Sequence, residues 1–152
     1  MGNIEENKEI AKKFVEESHT INSTSIEELI TDDFQFYALG FGARIVFNKE
    51  QTKQILKTNV QMTANSIDYN DIVAENDSVI IRATIQVTQV GEWQGIPPTG
   101  KRISLDEVFV FRIDGDKIAE MWVLRSDLSI YQQLGVLPPN AEFIQSYRDS
   151  LK

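Results

Sequence analysis

The sequence predicts an α+β fold: a curved antiparallel sheet that forms a cone, with helices over its mouth. Three observations carry this. Amphipathic helical patterns gather at the start of the chain, whereas period-two alternation dominates from Val79 to Leu124. Tight-turn signals, Asp114-Gly115 above all, join the alternating segments into one meander. Helices set before a long meander pack across one sheet face, and a strongly curved sheet leaves a pocket beneath them.

The elements follow in order. Residues 3–18 carry Ile4, Ile10, Ala11, Phe14 and Val15 amid Glu and Lys, one apolar stripe on a helix. Ser25-Ile26-Glu27-Glu28 reads as a capping box opening a short second helix. Residues 33–39, rich in aromatics, make a short strand before a turn at Gly40-Phe41-Gly42. Asn48-Lys49-Glu50-Gln51 caps a third helix with Ile55, Leu56 and Val60 as its buried face. Residues 67–73 and 79–89 form a hairpin joined at Glu75-Asn76-Asp77. Gly91 to Gly100 interrupts the alternation, because Pro97 and Pro98 cannot donate to a ladder. Strands over 103–111 and 118–124 follow, then a helix stopped by Gly135 ahead of Pro138 and Pro139. Residues 141–151 form a last, mostly polar helix.

Length and composition narrow the class. A chain of 152 residues with 41% hydrophobic and 25% charged residues suits a single soluble domain over residues 1–152. A net charge of −8 without clustered Lys and Arg argues against nucleic acid as partner. No apolar run reaches membrane-spanning length and the start has no apolar leader segment, so a cytoplasmic protein is expected. Asn22-Ser23-Thr24 and Asn76-Asp77-Ser78 match the glycosylation pattern, an accidental match without secretion. One histidine and no cysteine argue against a zinc site.

Four spaced motifs carry a resemblance. Gly95-Ile96-Pro97-Pro98-Thr99-Gly100-Lys101, Phe111-Arg112, Lys117-Ile118-Ala119-Glu120 with Trp122, and Gln132-Gln133-Leu134-Gly135 resemble the SnoaL-like polyketide cyclases. These belong to the nuclear-transport-factor-2-like superfamily of α+β cones, also described as cystatin-like α+β barrels. The resemblance extends to the opening helix and Asp32-Asp33-Phe34. It implies an enzyme without cofactor or metal that closes a ring by intramolecular aldol condensation, or a related isomerase. A base removes a proton alpha to a carbonyl, the enolate attacks a second carbonyl, and an acid protonates the alkoxide. The implied ligand is a small apolar or aromatic carbonyl compound. The family's aspartate, four residues after the tryptophan, is Ser126 here, with Asp127 one step later. Histidines common in the family are replaced by Met121, Gln89 and Tyr37. A member that binds small molecules without chemistry is therefore the alternative.

The residues supply their own candidates. Glu107 shares a strand face with Ile103, Leu105, Phe109 and Phe111, where a carboxylate must be paired or protonated. It is either a pocket acid/base or the partner of a nearby arginine. Strand parity turns Arg82, Arg112 and Arg125 away from it, which favours the first. Glu120 alternates with Ile118, Trp122 and Leu124, and is a ligand contact or a structural hydrogen-bond partner. Asp127 replaces the family aspartate if a bulge re-aims it; otherwise Ser126 or Asp127 is the N-cap of the helix that follows. Tyr37, Gln89, Trp93, Phe109 and Trp122 are expected to line the pocket, and His19 to sit at a helix end. Met121, Val123, Val108 and Val110 fall on the outer face by the same parity. An apolar outer face implies a homodimer or higher oligomer.

Overall fold

The computed structural model describes residues 3–20, 23–39, 44–59 and 61–152. Its elements are α1 (Ile4–Ser18), α2 (Ile26–Leu29), β1 (Ile30–Leu39), β2 (Ile45–Asn48), α3 (Lys49–Asn59), β3 (Met62–Glu75), β4 (Ser78–Gln89), β5 (Arg102–Asp114), β6 (Lys117–Arg125), α4 (Asp127–Leu134) and α5 (Asn140–Ser150). The strands form one curved, unclosed sheet in the order β2-β1-β6-β5-β4-β3. Every pairing is antiparallel except β1 with β6, which is parallel. The predicted α+β fold with helices on a curved sheet is therefore observed, and one of its pairings departs from the antiparallel expectation. The short edge strand β2 was not anticipated. The turn at 40–42, Val60 and Asn22 lie outside the described residues.

Local chemistry explains most boundaries. Asn3 caps α1 by accepting from the Glu5 amide, and Ala11, Phe14 and Val15 form its buried stripe. Ile4 is 41% exposed and does not join that stripe. Asn48 and Gln51 cap α3 reciprocally, Asn48 Oδ1 accepting from the Gln51 amide and Gln51 Oε1 from the Asn48 amide. The box expected at Ser25 does not form: Ser25 already has helical backbone angles (φ −89°, ψ −10°), and its side chain makes no cap hydrogen bond. Gly115 (φ 64°) turns β5 into β6, and Gly135 (φ 82°) closes α4, both in the left-handed region that glycine enters without a Cβ penalty.

Two of the four resemblance motifs have structural work here, the Gly95–Lys101 loop and Gln132–Gly135. The amide of Gln89, completely buried, donates to the carbonyls of Gly91, Ile96 and Pro97 and accepts from the Thr99 amide and hydroxyl. It fixes the 91–100 loop from beneath. Gln133 bonds both backbone groups of Ser104 and docks α4 on β5, while Lys101 donates to the Leu134 carbonyl. Replacing Gln89 with leucine is expected to cost about 2 kcal/mol, since several backbone groups lose their partner at once. Denaturant unfolding measures this, and an unchanged midpoint would show that the loop holds without it.

The core lies between α1, α2 and the concave face. Phe14 meets Phe34 (centroids 6.3 Å apart) and the edge of Phe111 (5.8 Å). A bulge in β6 sets the parity of the site. Arg112 faces Glu120 and Ile113 faces Ile118, so Ala119 has no opposite number. One extra residue turns every later side chain to the other face. Met121, Val123 and Arg125 therefore point inward opposite Phe111, Phe109 and Glu107. The expectation that Met121 and Val123 lie outside is overturned, whereas Val110 is exposed as expected. No described helix is long and apolar enough to cross a membrane.

Candidate functional site

The end of α1, the ends of β5 and β6 and the start of α4 converge on a cavity of about 70 Å³. Its walls are apolar, with Phe14, Trp93, Phe109, Met121, Val123 and Ile130 contributing. Four residues with polar or charged side chains line it as well: Ser18, His19, Glu107 and Arg125.

Glu107 is 2% exposed and stands between two basic groups. Arg125 Nη1 lies 3.5 Å from its Oε1, and His19 Nε2 lies 3.7 Å from its Oε2. The β5–β6 register makes the first contact, since Glu107 and Arg125 are directly opposed. The helix end makes the second. His19 Nδ1 is 2.8 Å from the Val15 carbonyl, which only accepts, so Nδ1 carries hydrogen and Nε2 is turned to Glu107. At 3.7 Å these two are an ion pair when His19 is protonated, but too far apart for a direct hydrogen bond.

Arg125 links this pair to a second carboxylate. Its Nε donates to Asp127 Oδ1 at 2.9 Å, and its guanidinium lies 5.8 Å over the Trp93 ring. Burial alone would lower the pKa of Arg125, but Glu107 and Asp127 outweigh it and hold it above its ordinary value. The guanidinium is thus a fixed cation between two buried carboxyl groups. Asp127 Oδ2 is buried and has no hydrogen-bond partner among the described residues.

Of the sequence candidates, Glu107, Trp93 and Phe109 meet in the cavity. Ser126 is the N-cap of α4, accepting from the Ser129 amide at 3.3 Å. Asp127 is the first helical residue and reaches the cavity only through Arg125. Gln89 is committed to the 91–100 loop. The bulge sends Glu120 and Trp122 to the outer face, where Trp122 stacks on Tyr37 (centroids 4.1 Å) and donates to Glu120 at 2.5 Å. Tyr37, Glu120 and Trp122 therefore form a separate surface cluster rather than a pocket wall.

Sequence reasoning placed His19 at a helix end and turned Arg125 outward. The first signal was present, because His19 follows Val15 by four residues on the buried stripe. The second was not, because nothing in the residues marks Ala119 as a bulge. Among the described residues no three His, Asp or Glu converge to hold a metal ion.

Comparison with known proteins supports the frame. The family model described as SnoaL-like polyketide cyclase matches residues 8–134. AclR from Streptomyces galilaeus, a candidate hydroxylase, superposes with a TM-score of 0.74 at 22% identity, covering 90% of this chain and 100% of its own. IdmH from Streptomyces antibioticus, a candidate polyketide cyclase, gives 0.69 at 22% identity over 85% of this chain and 98% of its own. An epoxide hydrolase of the LEH-like type from M. tuberculosis gives 0.66 at 15% identity, with 86% and 90% coverage. No curated protein matches the chain significantly. Likeness at these identities speaks for the fold, which hosts several chemistries.

Proposed function

Because the chain belongs to the SnoaL-like polyketide cyclase family, we propose that its cavity binds a small carbonyl compound and moves a proton within it, as an aldol cyclase or isomerase does. The observation that carries this is Glu107: a carboxylate 2% exposed on an apolar wall, with a histidine and an arginine on its two oxygens. Glu107 takes the proton alpha to the carbonyl. The C–H bond breaks, an O–H bond forms on the carboxylate, and the electron pair passes to the carbonyl oxygen. Arg125, cationic throughout, offsets the negative charge of the enolate in a site of low polarity. His19, with a lone pair on Nε2, then relays the proton either to the alkoxide of a new C–C bond or to another carbon of the ligand. The ligand is expected to be cofactor-free chemistry's usual substrate, a carbonyl compound already acidified by its own structure.

The pairing of Arg125 with both carboxylates also suits a binder without chemistry, since it quiets the charge of Glu107. One experiment separates the two. Hydrogen–deuterium exchange of the alpha protons of acetone and butanone in D2O is expected to be accelerated by the protein. Glu107→Gln is expected to lose about a hundredfold of that acceleration, the usual worth of a positioned base. Binding followed by the indole N–H resonance of Trp93, without any acceleration of exchange, would leave the binding reading in place and remove the catalytic one.

A further inference from the structure

The cavity of about 70 Å³ has room for roughly five water-sized groups, far below the roughly 300–1,000 Å³ of ordinary ligand sites. It does not stand alone. A groove of about 290 Å³ runs beside it between the end of α1, α2 and α3, and Leu56 lines both spaces. Leu56 is half-buried and packs on the edge of the core. A further groove meets the cavity at His19, but that ring is fixed by its 2.8 Å bond to Val15 and faces Glu107. Leu56 is tied by no such bond and stands between the two spaces.

The groove's chemistry is specific. Ile26 and Leu56 supply apolar surface, and Thr20, Ser23 and Thr24 supply hydroxyls. Its charges cancel: Glu17 and Glu27 against Lys53 and Lys57. Lys53 is paired with Glu27 at 3.0 Å, and Glu17 accepts from the Ser23 hydroxyl at 2.5 Å. With its four charges summing to zero, the groove offers a charged ligand no net attraction.

We infer that the groove is a second subsite and that Leu56 is the specificity-determining side chain between the two spaces. The ligand is an elongated, uncharged carbonyl compound, its carbonyl end in the cavity and its chain along the groove. This rests on the cavity binding a carbonyl compound, and the joint space then falls in the range of ordinary ligand sites.

The test follows the two tryptophans, Trp93 in the cavity and Trp122 on the outer face, by their indole N–H resonances. The protein is titrated with acetone, methyl butyl ketone, methyl heptyl ketone and a keto acid of matched length. Binding at Trp93 is expected to tighten by about two- to fourfold for each added methylene that reaches the groove. The keto acid is expected to bind more weakly than its uncharged counterpart. Leu56→Trp is expected to abolish the length dependence, as it fills the partition past which the chain must run. Leu56→Ala is expected to admit methyl cyclohexyl ketone, which the native partition excludes, and decides the matter if Leu56→Trp does not fold. Acetone binding with no gain from longer chains, or a length dependence untouched by either variant, overturns the subsite and leaves the cavity intact. A keto acid that binds better overturns the uncharged ligand class. A Trp93 resonance unmoved by every ketone overturns the cavity reading itself, and the subsite with it.

Discussion

Replacing Arg125 with methionine is expected to lower stability by about 3–5 kcal/mol, the cost of leaving buried charges without their partner. Two carboxylates depend on this side chain, Glu107 at 2% exposure and Asp127 at 4%. Asp127 has the closer contact, 2.9 Å from Nε, and its other oxygen already lacks a hydrogen bond among the described residues. Without the guanidinium both carboxylates must take protons or admit water. For a domain of this size the loss corresponds to a fall in Tm on the order of 10 °C. Adding Glu107→Gln to Arg125→Met is expected to recover part of it, because the pair interacts directly and the two changes are not additive. Thermal unfolding of the four members of that cycle measures the coupling. A methionine variant as stable as the wild type would show that neither carboxylate is charged in the folded protein.

Phe14→Ala is expected to cost about as much, 3–5 kcal/mol on the order of other buried phenylalanine truncations. Phe14 is 1% exposed and is the side chain that joins α1 to both β1, through Phe34, and β5, through Phe111. These neighbours come from two strands of a paired sheet and cannot both move into the space it leaves. The void would open onto the cavity that Phe14 already lines. Chemical denaturation gives the number; a loss below about 1 kcal/mol would mean that the site collapses or fills with water at little cost.

Much of this fold was legible because the sheet is built from strands with one clean alternation each. Val79, Ile81, Ala83, Ile85 and Val87 are all buried in β4, as their period-two spacing requires. Asn48 and Gly115 act where local chemistry places them, since a cap and a type of turn need only a few neighbouring residues. Ser25 shows the limit of that locality: its backbone is held in helical angles, where its hydroxyl caps nothing. The site was half legible. Glu107 stood out as a charge in an apolar run, a signal that survives without knowing any partner. Its partners did not, because strand parity was extended through Ala119, and a bulge changes facing without changing composition. The same slip carried Trp122 and Glu120 into the pocket and Arg125 out of it. The motifs at Gly95–Lys101 and Gln132–Gly135 proved to specify a loop and a helix dock, so they spoke for architecture more than for chemistry.

The parallel pairing of β1 with β6 also sets an order in time. Ala38 lies beside Val123, and Leu39 beside Leu124, so the first long strand has its main neighbour near the end of the chain. As the chain emerges from a ribosome, β1 can pair with β2, but its other edge waits on the order of ten seconds for β6. Throughout that interval Phe34 and Phe36 have no sheet to cover them. Contacts this distant in sequence also slow folding from the denatured state, because the loop must close before the contact rewards it. A sheet joined through its two ends of sequence is thus assembled last where it is joined, and the cavity, whose walls come from both sides of that seam, exists only once the seam has closed.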